Sequence, residues 1–323
     1  MRGTVRSLKS ELKVKPIREI HPNAPTNLEL VEADLNKEEE WLQAVKGVDH
    51  IQHIASPVPS KQPKKRDALV PAAVNGTLYV LQAADQEPSV KSVVITSSSS
   101  LYWEGRVYPP GKTVLDETTE GEEALAGSYA LSKMRAAKAA LEHYKSKPHS
   151  YKMCLICPSL VVGPTRIDVL NGTSLIPVYF LRGKIPRVPN FGQPSVDVRD
   201  VALAHILGME KIEAVEGEKF LVNARTLPMQ EIAEVLHEEF TQYGYKITTK
   251  KMGHCMFKVA AFFDSAIDRF SFTEGRQIEI QTNKLEKALN IEFKFRDLRA
   301  SIIEATYELI KRGHIPDKTH KKK

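Results

Sequence analysis

The chain has 323 residues, 46 lysines and arginines against 40 aspartates and glutamates, a formal net charge of +6, and 42% hydrophobic residues. This composition supports one large or two moderate domains and excludes a wholly disordered chain. The longest apolar stretches, such as Met153–Pro164, fall short of the ~18–20 residues a membrane helix needs, and Met1–Arg6 shows no apolar leader. Cys154, Cys157 and Cys255 are too few, and odd in number, for a disulfide scaffold, so a reduced, cytoplasmic protein without a membrane span is expected. The positive charge is dispersed. Its tight clusters are Lys61–Arg66 and the tail Lys318–Lys323, no nucleic-acid-binding motif accompanies them, and no nucleic-acid partner is expected.

In chain order, Asn36 reads as the N-cap of a helix over Lys37–Lys46. Asp49–Ala55 is a β-rich run ending at Ser56-Pro57, and Ala68–Ala84 places apolar residues at helical spacing. Ser92–Thr96 is a short buried strand running into four serines, Ala124–Lys145 is helical by its alanine content, and Met153–Val162 is a strand stopped by Gly163-Pro164. This alternation predicts an α/β fold with right-handed crossovers and a doubly wound parallel sheet. Beyond residue 163 prolines and loops dominate, followed by a strand at Lys219–Val222 and helices at Met229–Tyr243, near Met256–Arg269, at Asn283–Ala288 and at Asp297–Arg312. The expectation is a cofactor domain over 1–163 and a smaller α/β substrate lobe mainly over 164–323, with some segments returning to the sheet.

Tyr129-Ala130-Leu131-Ser132-Lys133 carries the sharpest chemistry. A tyrosine and a lysine four apart share one helix face, and an ammonium there stabilises tyrosinate, making a general acid–base for a carbonyl or an alcohol. The spacing alone has low specificity. Its context adds Thr96-Ser97-Ser98-Ser99-Ser100 after a buried strand, which places hydroxyls at the carboxyl edge of the sheet, where ligands bind in this architecture.

With these motifs together, the chain resembles the extended short-chain dehydrogenase/reductase family, in its dihydroflavonol-reductase, cinnamoyl-CoA-reductase and aldehyde-reductase branch, and the implied fold is Rossmann-like. Arg2–Ser7 resembles the end of the family's second strand, which makes Arg6 the candidate for the 2′-phosphate of NADPH. Asp34 and Leu35 match the segment beside the adenine; His53, Ala55 and Pro57 match a His-x-Ala-x-Pro stretch along the cofactor; Val74–Thr77 matches the helix behind it. Ser98 aligns with the catalytic serine, with an uncertainty of one in that register, and Tyr129 and Lys133 align with the catalytic pair. The resemblance makes Thr96 cofactor-binding, Pro158 and Val161 match the nicotinamide-side strand and loop, and Val196–Ala202 matches a later Asp-Val-Arg-Asp-Val-Ala segment.

The resemblance implies an NADP(H)-dependent oxidoreductase, NAD(H) remaining possible, that reduces a ketone or aldehyde or oxidises a secondary alcohol through Ser98, Tyr129 and Lys133. The alternatives are a 3β-hydroxysteroid dehydrogenase, a sugar-nucleotide epimerase/dehydratase, or a non-catalytic member acting through protein contacts. The partner is a small carbonyl or alcohol substrate, and the assembly a monomer or homodimer. The family's first strand and its Gly-x-x-Gly-x-x-Gly turn have no counterpart, so the sheet is expected to be N-terminally incomplete, with weak NADPH binding. No metal is expected, since His237-Glu238-Glu239 lacks zinc spacing. Cys154 and Cys157, three apart on a strand, face opposite sides and read as structural. His53 reads as a groove-lining residue. Phe180, Phe191, Phe262 and Phe263 point either to an apolar ligand or to core packing.

Overall fold

Among the described residues the strands fall into four sheets, two of which, both parallel, hold the strands expected on the cofactor side. The structure is a computed structural model that describes residues 1–20, 28–58, 63, 65–109, 111–168, 170, 172–263 and 274–320. Parts of the basic clusters at 61–66 and 318–323, Asn171 and the far end of the helix expected at Met256–Arg269 lie outside the described residues. The strands are β1 (Arg2–Val5), β2 (Glu29–Glu32), β3 (His50–His53), β4 (Ser92–Thr96), β5 (Gly111–Leu115), β6 (Lys152–Pro158), β7 (Leu160–Val162), β8 (Gly192–Asp197), β9 (Lys219–Val222), β10 (Arg225–Pro228) and β11 (Arg276–Ile280).

β3, β4, β6 and β9 form a four-stranded parallel sheet in the order β3-β4-β6-β9, and β1 pairs with β2 alone. Among the described residues β1 and β3 share no ladder. The β1–β2 pair is instead held by side chains. The Arg2 guanidinium donates to the carbonyls of Ala44 (3.1 Å) and Lys46 (2.7 Å), at the C-terminal end of the Glu38–Val45 helix.

The central strands are buried on both faces, as their β-branched sequences require. On one side Val93, Ile95, Met153 and Leu155 meet Leu81 and Ala84 of the Val70–Gln86 helix and Ala130, Leu131, Met134 and Ala137 of the Ser128–Lys145 helix. On the other, Val94, Cys154 and Ile156 pack on Ala204 of the Val198–Glu210 helix. Cys154 and Cys157 therefore sit in cores on opposite faces. A separate core, containing Leu227, Ile232, Leu236, Phe240, Ile302 and Phe180, builds the C-terminal half. Phe180 is thus a core residue, Phe191 stacks edge-on against Phe257, and Phe262 is exposed.

Three local expectations need correction. Lys37, not Asn36, is the N-cap of the Glu38–Val45 helix, because Asp34 draws the Asn36 backbone N–H into a turn at 2.9 Å. The Ala124–Lys145 helix starts at Ser128, since residues 123–125 form a turn and 126–127 are extended or irregular. The strand expected over Met153–Val162 is two: after Pro158 the chain breaks away, and β7 joins β8 and β10 in another sheet.

The Asp197–Ala202 segment locks the two halves together. Asp197, fully buried, caps the Val198–Glu210 helix through Arg199 N–H and accepts both arms of the Arg199 guanidinium, which also binds Glu304 on the Leu298–Lys311 helix. Asp200, equally buried, accepts the backbone and side chain of Arg296. Gly163, at φ 127°, lies where a side chain would press on Val198 and Asp197.

Gly76 marks the closest approach between helix and β1–β2 unit: a β-carbon there would stand 2.8 Å from Leu35 Cβ and 3.1 Å from its carbonyl oxygen. Gly76→Val is expected to lower the unfolding free energy by about 1–3 kcal/mol, read from urea denaturation. An unchanged midpoint would show that the two units are not in contact through this helix.

Candidate active site

The carboxyl ends of β4 and β6 place the candidate catalytic groups. The chain after β4 keeps following β6, with Ser97 N–H donating to Ile156 O (2.7 Å) and Ser99 N–H to Pro158 O (2.9 Å). This carries Ser98 over the edge of the sheet, half-buried, where its hydroxyl oxygen accepts the Ser100 N–H at 3.2 Å at the start of the Ser100–Trp103 helix. Tyr129 and Lys133 lie one turn apart in the first two turns of the Ser128–Lys145 helix, Tyr129 half-buried and Lys133 only 5% exposed.

Lys133 is the organising group. Its ammonium donates to Thr96 O at 2.9 Å, and burial pushes its pKa down to about 8. Thr96 is fixed from the other side: its hydroxyl and His205 Nε2 are 2.6 Å apart, and His205 Nδ1 is 2.8 Å from Val201 O. A carbonyl only accepts, so Nδ1 carries the hydrogen and Nε2 accepts the Thr96 hydroxyl. Burial keeps His205 below its ordinary pKa, in the neutral form this arrangement needs. Sequence reasoning missed His205, although it follows directly on the Asp197–Ala202 segment.

His53, the last residue of β3, is buried edge-on against Trp41 at 6.1 Å. Burial, and then the charge of Lys133, push it down to about 4, so at neutral pH it is an uncharged wall. Cys157 is pushed up to about 11 by burial and remains a thiol beside the Ser97 and Tyr102 hydroxyls. Two further polar atoms at this edge, Ser159 Oγ after β6 and Asn223 Oδ1 after β9, are buried without a hydrogen-bond partner. Each such atom costs ~1–3 kcal/mol unless a ligand or water meets it.

The other candidate residues lie apart from this cluster. Arg6 follows β1 with an exposed guanidinium whose Nε is 3.6 Å from Asp34 Oδ2, and Leu35 packs on Gly76. Ala55 and Pro57 follow His53 out of the sheet, Ala55 exposed and Pro57 half-buried. Pro158 ends β6 and is buried, whereas Val161 lies on β7 opposite Val196 and so belongs to the β10-β8-β7 sheet. The structure thus brings Lys133, Thr96 and His53 together and, separately, Arg6 with Asp34.

The sequence model of the NAD dependent epimerase/dehydratase family matches residues 4–222. The chain belongs to this family. Cinnamoyl-CoA reductase 1 of Petunia hybrida is 32% identical over 326 residues, covering 99% of this chain and 88% of its own. A putative uncharacterized oxidoreductase of Schizosaccharomyces pombe is 34% identical over 257 residues, 74% of this chain and 75% of that protein. Among solved structures, yeast methylglyoxal/isovaleraldehyde reductase Gre2 complexed with NADPH superposes with a TM-score of 0.77 at 23% identity, covering 97% of this chain and 92% of that one. The expected family and its cinnamoyl-CoA-reductase-like branch therefore hold, as does the Rossmann-type parallel sheet. No described helix is long and apolar enough to cross a membrane.

The lowered pKa of Lys133 has a stability consequence. Between about pH 8 and 10.4 the unfolded chain holds this proton more firmly than the folded one, so unfolding free energy rises with pH across that window. Lys133→Met is expected to lack this rise and, at pH 7, to be more stable than the unsubstituted protein by up to about 3 kcal/mol. Equal pH dependence of the two urea midpoints would show that the ammonium is not buried.

Proposed function

We propose that this family member is an NADPH-dependent carbonyl reductase acting on a ketone or aldehyde, with the reverse oxidation of a secondary alcohol as the same chemistry. The observation that carries the reading is the buried Lys133 ammonium, held on Thr96 O one turn from Tyr129 at the carboxyl edge of β4. Relatives by sequence include cinnamoyl-CoA and tetraketide alpha-pyrone reductases, which favour carbonyl reduction over the family's epimerases and dehydratases.

The residues present fit the two ends of a dinucleotide. Lys133 has three donor hydrogens and makes one hydrogen bond among the described residues, which leaves donors for ribose hydroxyls. The Arg6 side chain, just beyond the carboxyl end of β1, is 74% exposed and suited to a phosphate. Ser159 and Asn223 present buried polar atoms with no protein partner. NADPH, when bound, supplies the hydride.

The chain's own residues do the rest. Ser98 would hold the substrate carbonyl oxygen through its hydroxyl, and Tyr129 would deliver the proton to that oxygen. The Lys133 ammonium favours tyrosinate, easing loss of the phenolic proton. His53 stays neutral and excludes water from one wall. The lobe after residue 163 would take the remainder of the substrate. The apolar crevice beside β7 in that lobe, lined by Val162, Ile176, Pro177, Ile232, Ile302 and Leu309, measures about 30 Å³, room for a water or two rather than for a substrate group.

The test is NADPH consumption over a panel of aldehydes, diketones and hydroxycinnamoyl thioesters. Tyr129→Phe is expected to lower kcat/KM by about 10²–10⁴ while circular dichroism stays unchanged, and full activity in that variant would overturn the assignment. Arg6→Ala is expected to weaken NADPH by about 10- to 100-fold while leaving NADH unchanged, as measured by fluorescence titration. An equal loss for both cofactors would remove Arg6 from the 2′-phosphate.

A further inference from the structure

A second set of ligating side chains lies at the opposite end of the sheet from Lys133. It joins Asp85, at the end of the Val70–Gln86 helix, His143, in the last turn of the Ser128–Lys145 helix, and His149, in the connection into β6. Asp85 Oδ2 is 2.9 Å from His143 Nε2, and Oδ1 is 2.6 Å from His149 Nδ1. All three ligand atoms lie within 4.8 Å of one another, and the side chains are 12%, 14% and 2% exposed respectively. Positions 85, 143 and 149 carry no metal spacing in sequence; only the fold assembles them.

The two nitrogens of His149 expose a conflict. Nε2 is 3.3 Å from the His143 carbonyl oxygen, which only accepts, so one of the two neutral tautomers places the ring hydrogen there. In that tautomer Nδ1 is a lone pair, and it points at a carboxylate oxygen 2.6 Å away. The other neutral tautomer donates Nδ1–H to Asp85, and a metal ion at Nδ1 would take the place of that proton. A histidine that donates one N–H to a backbone carbonyl and offers its other nitrogen is arranged as metal-bound imidazoles are.

An independent feature points the same way. Tyr151, 1% exposed, has its ring 5.0 Å from that of His149, and its hydroxyl makes no hydrogen bond of ordinary length. It is a buried polar group at the same spot, and the group it faces is the Asp85 carboxylate.

We propose that Asp85, His143 and His149 bind a divalent transition-metal ion, with zinc as the best match. Two imidazoles and one carboxylate suit zinc, and the fourth place is left for water beside the Tyr151 hydroxyl. Donors on one tetrahedral zinc stand about 3.3 Å apart, so entry requires His149 and Asp85 to separate by about 1 Å. Lys147 occupies Asp85 Oδ2 at 2.8 Å as a resident cation; its side chain is 51% exposed and withdraws into solvent as the ion enters. Far from Lys133, the ion is structural, tying two helix ends to β6.

The test is zinc titration of the chelator-treated full chain by calorimetry and thermal unfolding, with cobalt as the visible reporter of a tetrahedral shell. One equivalent is expected to bind, raising Tm by about 3 °C or more at saturating zinc. His143→Gln and Asp85→Asn are expected to weaken binding at least about tenfold. Lys147→Ala, an exposed position that leaves the core intact, is expected to tighten it several-fold. No binding at about 100 µM zinc, or binding that Lys147→Ala and His143→Gln both leave unchanged, would overturn the site and leave a proton between His149 and Asp85.

Discussion

A lysine ammonium taken out of water at the end of a parallel strand constrains what surrounds it. Lys133 loses hydration and receives one backbone carbonyl in return, so its neighbours must be neutral, fixed and polar where they face it. Thr96 is held from behind by His205, His53 is kept uncharged, and Cys157 is kept as a thiol. The alanines beneath Lys133 let the Ser128–Lys145 helix lie close to the sheet, which is what brings the ammonium over the strand end.

The same logic recurs in the second half of the chain, with opposite sign. Asp197 and Asp200 are carboxylates with no exposure, each matched by an arginine that reaches in from a more exposed position. These pairs fix the Val198–Glu210 helix against the C-terminal segments, and that helix carries His205. The support behind Thr96 therefore runs back to Arg199, Glu304 and Arg296. A charge swap far from Lys133 would be felt there through this chain of contacts.

Much of this was legible in the sequence, because it depends on local pattern. The Ser-Val-Val-Ile-Thr strand, the alanine-rich helix and the Tyr–Lys spacing are short-range signals, and β4 falls where its β-branched run predicts. The break at Ser159 was not legible, since Leu160–Val162 continues the same apolar run and only its pairing partner, β8, redirects it. Asn36 failed as a cap because the neighbouring Asp34 competes for the same turn. The pairing of β5 with β11 joins residues more than 160 positions apart, beyond any local signal. His205, and the meeting of Asp85 with His143 and His149, are likewise products of tertiary contact.

The separation of β1–β2 from the four-stranded sheet has its own consequence. A ladder would make the two open together; contacts through Arg2 and through Leu35 on Gly76 do not impose that cooperativity. Backbone amides of Arg2–Val5 should then trade deuterium through partial openings that leave the amides of Val93–Ile95 protected. Arg6 rides on the less durable of these two units and Lys133 on the more durable one, so a dinucleotide reaching both would act as a strut between them.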